Sequence, residues 1–216
     1  MKQEKIIQRK IITKKCLSPE EQLLLFDFED STYWIRKYVR NYKLASPAIE
    51  KKMILLRDVA LLNAYWRKYD VKSETLAFLF ELGDEELLKP CLKHNLLPSN
   101  YQGKLLELNN EKLLKVYFDF WYLEGEPEIK FIQTCTRKTL QRYLRHHTLS
   151  QKAEVALIER NDDNILSYYV SKHQLCNEAK EKMYEINNIN VVRYYAYSWI
   201  YPKQYNKSST PSGQKA

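Results

Sequence analysis

Glycine and proline are scarce in this chain, with four and seven copies in 216 residues. That is too few for a sandwich or barrel, which must turn about every ten residues. No run of eighteen uncharged apolar residues occurs, so no membrane-spanning helix is expected. The opening MKQEKIIQRKIITKK has charge scattered throughout and no apolar core, so it does not read as a signal peptide. The four cysteines (Cys16, Cys91, Cys135 and Cys176) stand at least forty residues apart with no C-x-x-C pair. They read as reduced structural thiols in a cytoplasmic protein. The glycines are isolated, so no loop cradles a phosphate, and no nucleophile elbow or H-E-x-x-H helix is present. His146 and His147 are the one adjacent histidine pair. Neighbours on a helix point about 100° apart, poorly placed to share a metal. The expectation is no catalytic residue, no metal and no cofactor.

What is present is apolar enough to fold: 44% hydrophobic residues against 29% charged. The net charge of +8 belongs to the ends. Residues 1–15 contribute +5 and residues 202–216 contribute +3, so the stretch between them is neutral overall. Global basicity therefore says little about the body of the protein.

The body repeats with a period of 26. Residues 127–152, 153–178 and 179–204 align in register, and stepping back continues through 101–126, 75–100 and 49–74. One extra residue then brings in 22–48. The fifth position is always large and apolar: Phe26, Met53, Leu79, Leu105, Phe131, Leu157 and Met183. Positions 13, 14, 17, 18 and 21 form one apolar helical face. The tenth position holds Ser31, Asp58, Asp84, Asn110, Thr136, Asp162 and Asn188, all suited to cap a helix start. Just before it, Gly83, Asn109, Asn161 and Asn187 suit the left-handed turn that ends the preceding helix. Ser46, Ser73, Ser99 and Asn177 are placed to cap the next one. Each unit is thus a short helix A, a tight link and a longer helix B. An unpaired helix B over residues 5–16 adds a half unit at the front. The expected fold is all-α: a right-handed α-solenoid of about seven 26-residue repeats plus that half repeat. The expected domains are a basic capping segment 1–19, a repeat domain 20–204 and a disordered polar tail 205–216.

The unit AEVALIERNDDNILSYYVSKHQL resembles the bacterial family of short two-helix repeats related to HEAT-like and leucine-rich-repeat-variant solenoids. The resemblance covers about residues 20–201. It implies an interaction scaffold and no reaction. Leucine-rich-repeat-variant proteins can carry an iron–sulfur cluster on clustered cysteines; this chain has no such cluster of cysteines, so that cofactor is not carried over.

Two columns carry the candidate chemistry. Position 17 is Tyr in six of seven units (Tyr38, Tyr65, Tyr117, Tyr143, Tyr169 and Tyr195), with Cys91 as the exception. Such a column either packs between units or offers a stacking ladder to a ligand. Position 21 places Tyr42, Tyr69, Trp121, His147, His173 and Trp199 one turn further on. In the third unit Pro90 falls inside helix B, where it predicts a kink or a late helix start.

The solvent-facing positions of helix B hold fourteen bases against two acids. Helix A instead carries Glu81, Glu107, Glu159 and Glu185. The candidate binding surface is Arg36, Arg40, Arg67, Lys89, Lys93, Lys115, Arg142, Arg145, Lys172 and Arg193. Part of this bias complements the helix dipole, since bases near a C-terminus are favourable without any ligand. The first expected partner is a protein with an acidic segment, contacted also by Phe120, Tyr168, Tyr194 and Tyr197. The second is nucleic acid, using the same ridge and both basic tails. Val191, Val192, Tyr195, Trp199 and Tyr201, in a last unit with no capping helix, add self-association as a further expectation.

Overall fold

The computed structural model describes residues 2–201; the tail expected at 205–216 and its lysines lie outside the described residues. Among the described residues there are fifteen α-helices and no strand, so the protein is all-α. None of these helices is long and apolar enough to cross a membrane. The chain divides into two compact units between Tyr122 and Leu123.

The first unit contains α1 (Lys2–Ile12), α2 (Pro19–Leu24, extended by a tighter turn over Leu25–Asp27), α3 (Ser31–Val39), α4 (Pro47–Leu55), α5 (Val59–Trp66), α6 (Ser73–Leu82), α7 (Glu85–His94), α8 (Ser99–Glu107) and α9 (Glu111–Phe118). In one row α1, α3, α5, α7 and α9 each pack against the next, and α4 packs on α6 beside it. The second unit contains α10 (Glu126–Thr134), α11 (Arg137–His146), α12 (Gln151–Arg160), α13 (Asp163–Lys172), α14 (Asn177–Ile186) and α15 (Ile189–Tyr195), the last continued by a wider turn over Ala196–Ile200. There α11, α13 and α15 form one row and α10, α12 and α14 the other.

Local chemistry sets the boundaries. Asp58, Asp84, Asn110, Thr136, Asp162 and Asn188 each precede a helix of the first kind of row and accept N–H bonds from its first turn. Ser31 does not: α3 is entered through Asp30, with no side-chain cap, and Ser31 is its first residue. Gly83, Asn109, Asn161 and Asn187 all adopt positive φ, and so does Arg57 at the equivalent place. Of the four caps expected at the other helix starts only Ser46 acts as one. Ser73, Ser99 and Asn177 are already the first helical residues, behind Lys72, Pro98 and Cys176. Helix α1 stops at Ile12 rather than reaching Cys16, because Lys14 turns left-handed and the Lys14 and Lys15 N–H groups close the end on Ile11 and Lys10 carbonyls. Pro90 does not delay α7, which begins at Glu85 under the Asp84 cap and runs on to His94.

The tyrosine column proves to be interior. Tyr38, Tyr65, Tyr117, Tyr143, Tyr169 and Tyr195 are all buried, so none presents a face to a ligand. Each hydroxyl reaches a loop about 20 residues earlier in the chain. It accepts the backbone N–H of Leu17, Leu44, Leu97 and Leu123 at 3.4, 3.2, 3.2 and 3.0 Å for the first four of these tyrosines. Leu149 and Leu175 play the same part for Tyr169 and Tyr195. Three of these hydroxyls also donate to buried carboxylates: Tyr65 to Glu50 at 2.9 Å, Tyr143 to Glu128 at 3.0 Å and Tyr169 to Glu154 at 2.9 Å. The second carboxylate oxygen then takes a donor from the following helix start: Thr75 on Glu50, Ser150 on Glu128 and the Cys176 N–H on Glu154. Buried Gln22 fills the same role for Tyr38, its amide donating to the hydroxyl and to the Leu17 carbonyl while its oxygen accepts from Ala45 N–H.

Cys91 shows why this contact matters. With Cys91 in place of Tyr, no hydroxyl reaches the loop; Asn95, buried one turn on, accepts the Val71 N–H at 2.9 Å and donates to the Cys91 carbonyl at 3.1 Å. The residue changes, but the loop N–H keeps its acceptor, as a buried backbone donor must. Position 21 completes the layer by ring contact: Tyr42 stacked on Tyr38 at 5.3 Å, His147 tilted on Tyr143 at 4.7 Å and His173 stacked on Tyr169 at 4.6 Å between ring centroids.

At the far end, Val191 and Tyr195 are buried and Val192 is half-buried, whereas Trp199 and Tyr201 are exposed, so the apolar face expected there is open only in part. Tyr195 serves the loop pin, and the Trp199 indole N–H donates to the Val170 carbonyl at 2.6 Å.

These bonds set the expected behaviour of the core. Tyr143→Phe removes the donor to Glu128 and the acceptor for Leu123 N–H together, so it should lower unfolding stability by about 1–3 kcal/mol in urea titration. Glu128→Gln should cost less than Glu128→Ala, because Gln102 already shows an amide serving this position by donating to the Leu97 carbonyl. Burial pushes the Glu128 carboxyl up, against the opposing hydrogen bonds from Ser150 and Tyr143. The native state therefore holds this proton more tightly than the unfolded chain. The Glu128 contribution is largest at low pH and is lost as pH rises from the ordinary carboxylate range through the raised value. Subtracting the stability–pH curve of Glu128→Gln from that of the parent should show this downward slope.

Candidate binding surface

The expected basic residues lie on α3, α7 and α9 or just past the ends of α3 and α5 in the first unit, and on α11, α13 and α15 in the second. The structure sorts them by what they touch. Arg36 is occupied: its Nη2 lies 2.6 Å from Asp58 Oδ2, while Asp58 Oδ1 caps α5 by accepting Leu61 N–H. Burial raises the Asp58 carboxyl, but the Leu61 N–H and the Arg36 guanidinium together hold it below its ordinary value. The same arrangement recurs where Arg57 meets Asp84 and where Arg137 meets Asp162. Lys89 is occupied as well, 2.8 Å from Glu85 and 2.6 Å from Glu86 on its own helix. Arg142 is half-buried.

Arg40, Arg67, Lys115, Arg145 and Arg193 are exposed, with no carboxylate within ion-pair distance among the described residues. Lys93 lies over the Phe120 ring at 5.7 Å and Lys172 over the Tyr168 ring at 4.4 Å, leaving both ammonium groups exposed beside an aromatic. Of the expected contact aromatics, Phe120, Tyr194 and Tyr197 are exposed and Tyr168 is half-buried.

Each unit has a basic cleft between successive helices of this row. In the first unit Val39, Arg40, Ala64, Arg67 and Lys68 line a space of about 350 Å³ between α3 and α5. Lys68 is spent there on the Arg40 carbonyl, 2.7 Å away, at the C-terminus of α3. In the second unit a space of about 300 Å³ lies at the ends of α11 and α13, lined by Leu144, Arg145, His146, His147, Thr148, Tyr168, Lys172 and His173. Neither cleft has an acidic residue in its lining. Burial, then the charges of Lys93 and Arg67, push His94 below the ordinary imidazole value. No group of three His, Cys, Asp or Glu side chains capable of holding a metal is present among the described residues.

The ion pairs could not be read from local sequence, because Arg36 and Asp58 stand 22 residues apart. The buried glutamates were also missed. Their one legible trace is that the second position of four units reads Glu50, Gln102, Glu128 and Glu154 on an otherwise apolar helix side. No family model, no curated protein and no solved structure matches the chain.

The sorting separates structural from available cations by experiment. Arg36→Ala should lower stability by under about 1 kcal/mol, the scale of an exposed ion pair. Arg40→Ala, which breaks no pair, should leave the urea midpoint unchanged. Equal losses in the two variants would show that this division of roles is wrong.

Proposed function

We propose that this chain is a non-enzymatic cytoplasmic scaffold that binds an acidic segment of a partner protein. In this reading the two rows of helices are those of a right-handed α-solenoid with seven 26-residue repeats and an N-terminal half repeat. The repeated positions of its B helices form the binding ridge. The observation that carries the reading is the set of cations without a carboxylate partner at Arg40, Arg67, Lys115, Arg145 and Arg193, in contrast to Arg36 and Arg137, which are paired to the cap aspartates Asp58 and Asp162. Bases kept for the fold would be expected to sit against carboxylates or helix-end carbonyls, as Arg36 and Lys68 do. Lys93 with Phe120 and Lys172 with Tyr168 add aromatic area beside a charge, the mixture that interface centres favour.

The test uses the full chain, a fluorescent glutamate-rich peptide and labelled single- and double-stranded DNA at several salt concentrations. Peptide binding should weaken at least about tenfold when Arg40, Arg67 and Lys93 are changed to Glu, with the urea midpoint retained. DNA binding tighter than peptide binding, falling steeply with salt through counterion release, would replace this reading with a nucleic-acid one. Absence of peptide binding would overturn it.

A further inference from the structure

The cleft at the ends of α11 and α13 differs from its counterpart in the first unit in the donors it gathers. Arg145 contributes a guanidinium with no carboxylate partner, and three imidazoles join it from His146, His147 and His173. Lys172 is not spent on a helix-end carbonyl as Lys68 is: its ammonium stands 3.1 Å from the Tyr168 hydroxyl and over that ring. Two of the imidazoles lie against tyrosine rings, His147 tilted by 38° on Tyr143 and His173 stacked on Tyr169, and the hydroxyls of both tyrosines are tied to Glu128 and Glu154. Two of the donors, His147 and His173, thus rest on buried tyrosines that are themselves tied to the core.

The charge balance selects the ligand. Two helix C-termini face this space, each equivalent to about half a negative charge. Arg145 and Lys172 outweigh them, and the lining holds no carboxylate. A single carboxylate brings one negative charge and two acceptor oxygens, less than the two cations of this lining call for. A phosphate monoester brings close to two negative charges and three acceptor oxygens, enough to engage Arg145, Lys172 and imidazole N–H groups from both helices at once.

We propose that the cleft lined by Arg145, His146, His147, Lys172 and His173 binds a phosphate monoester, presented by a phosphorylated side chain of the partner. This rests on the ridge being the recognition face and narrows what it recognises in the second unit.

The test follows imidazole proton resonances of the full chain during titration with O-phospho-L-serine and, separately, inorganic phosphate, with L-glutamate as control. The chain has four histidines, and the fourth, His94, lies in the first unit, so it is an internal reference. The expected result is saturable movement of the His146, His147 and His173 signals by both phosphates, little by glutamate, and none at His94. Affinity should fall at least about tenfold in Lys172→Ala and in Arg145→Ala, as loss of one charge-assisted contact requires. Equal movement of all four signals, no saturation, or curves unchanged by both substitutions would overturn the assignment. Adding the glutamate-rich peptide to the same samples keeps the two readings apart. Peptide binding without phosphate binding removes only the cleft, and phosphate binding without peptide binding removes only the broader ridge.

Discussion

The fold depends on one recurring hydrogen bond: a buried tyrosine hydroxyl receiving the backbone N–H of a loop leucine. Loops between the short helices pass inward and bury Leu17, Leu44, Leu97, Leu123, Leu149 and Leu175. A buried N–H without an acceptor costs about 1–3 kcal/mol, so an unmet donor in every unit would remove most of a domain's net stability. The hydroxyl meets that need and creates another, since its own proton must go somewhere. Glu50, Glu128 and Glu154 take it, and their second oxygens pass the constraint to the start of the next helix. One side chain therefore fixes three chain segments. Cys91 shows that the requirement lies with the N–H rather than with tyrosine, because Asn95 restores the acceptor by a different route.

The surface follows from the same economy of partners. Helix starts need an acceptor, and Asp58, Asp84 and Asp162 supply one oxygen to the first turn while the other attracts a guanidinium from earlier in the chain. Helix ends favour cations, and Lys68 answers the α3 terminus directly. These two structural demands account for part of the basic bias. The cations left over, Arg40, Arg67 and Lys115 in the first unit and Arg145 and Arg193 in the second, are those that no carboxylate among the described residues occupies.

Much of the architecture was legible because it is written in residue types with a single local use. Asn or Gly before Asp or Asn announces a left-handed turn followed by a cap, and it does so correctly at residues 83–84, 109–110, 161–162 and 187–188. Arg57 was invisible to that rule, since arginine has no preference for positive φ. Glu128 and Glu154 were invisible for the opposite reason: a carboxylate reads as surface unless its buried partners, 15 and 22 residues away, are known. The ridge was legible as charge and illegible as function, because pairing across 22 residues decides which bases remain available.

The pins all point backward along the chain. Tyr65 reaches a loop 21 residues before it, Tyr143 one 20 residues before it, and Trp199 a carbonyl 29 residues before it. None of these waits for a segment made later. As the chain leaves the ribosome, each new helix of the tyrosine row can close the loop already in place behind it, over spans short enough for loop closure to be fast. A polypeptide wired in this way can acquire its structure in the order in which it is synthesised.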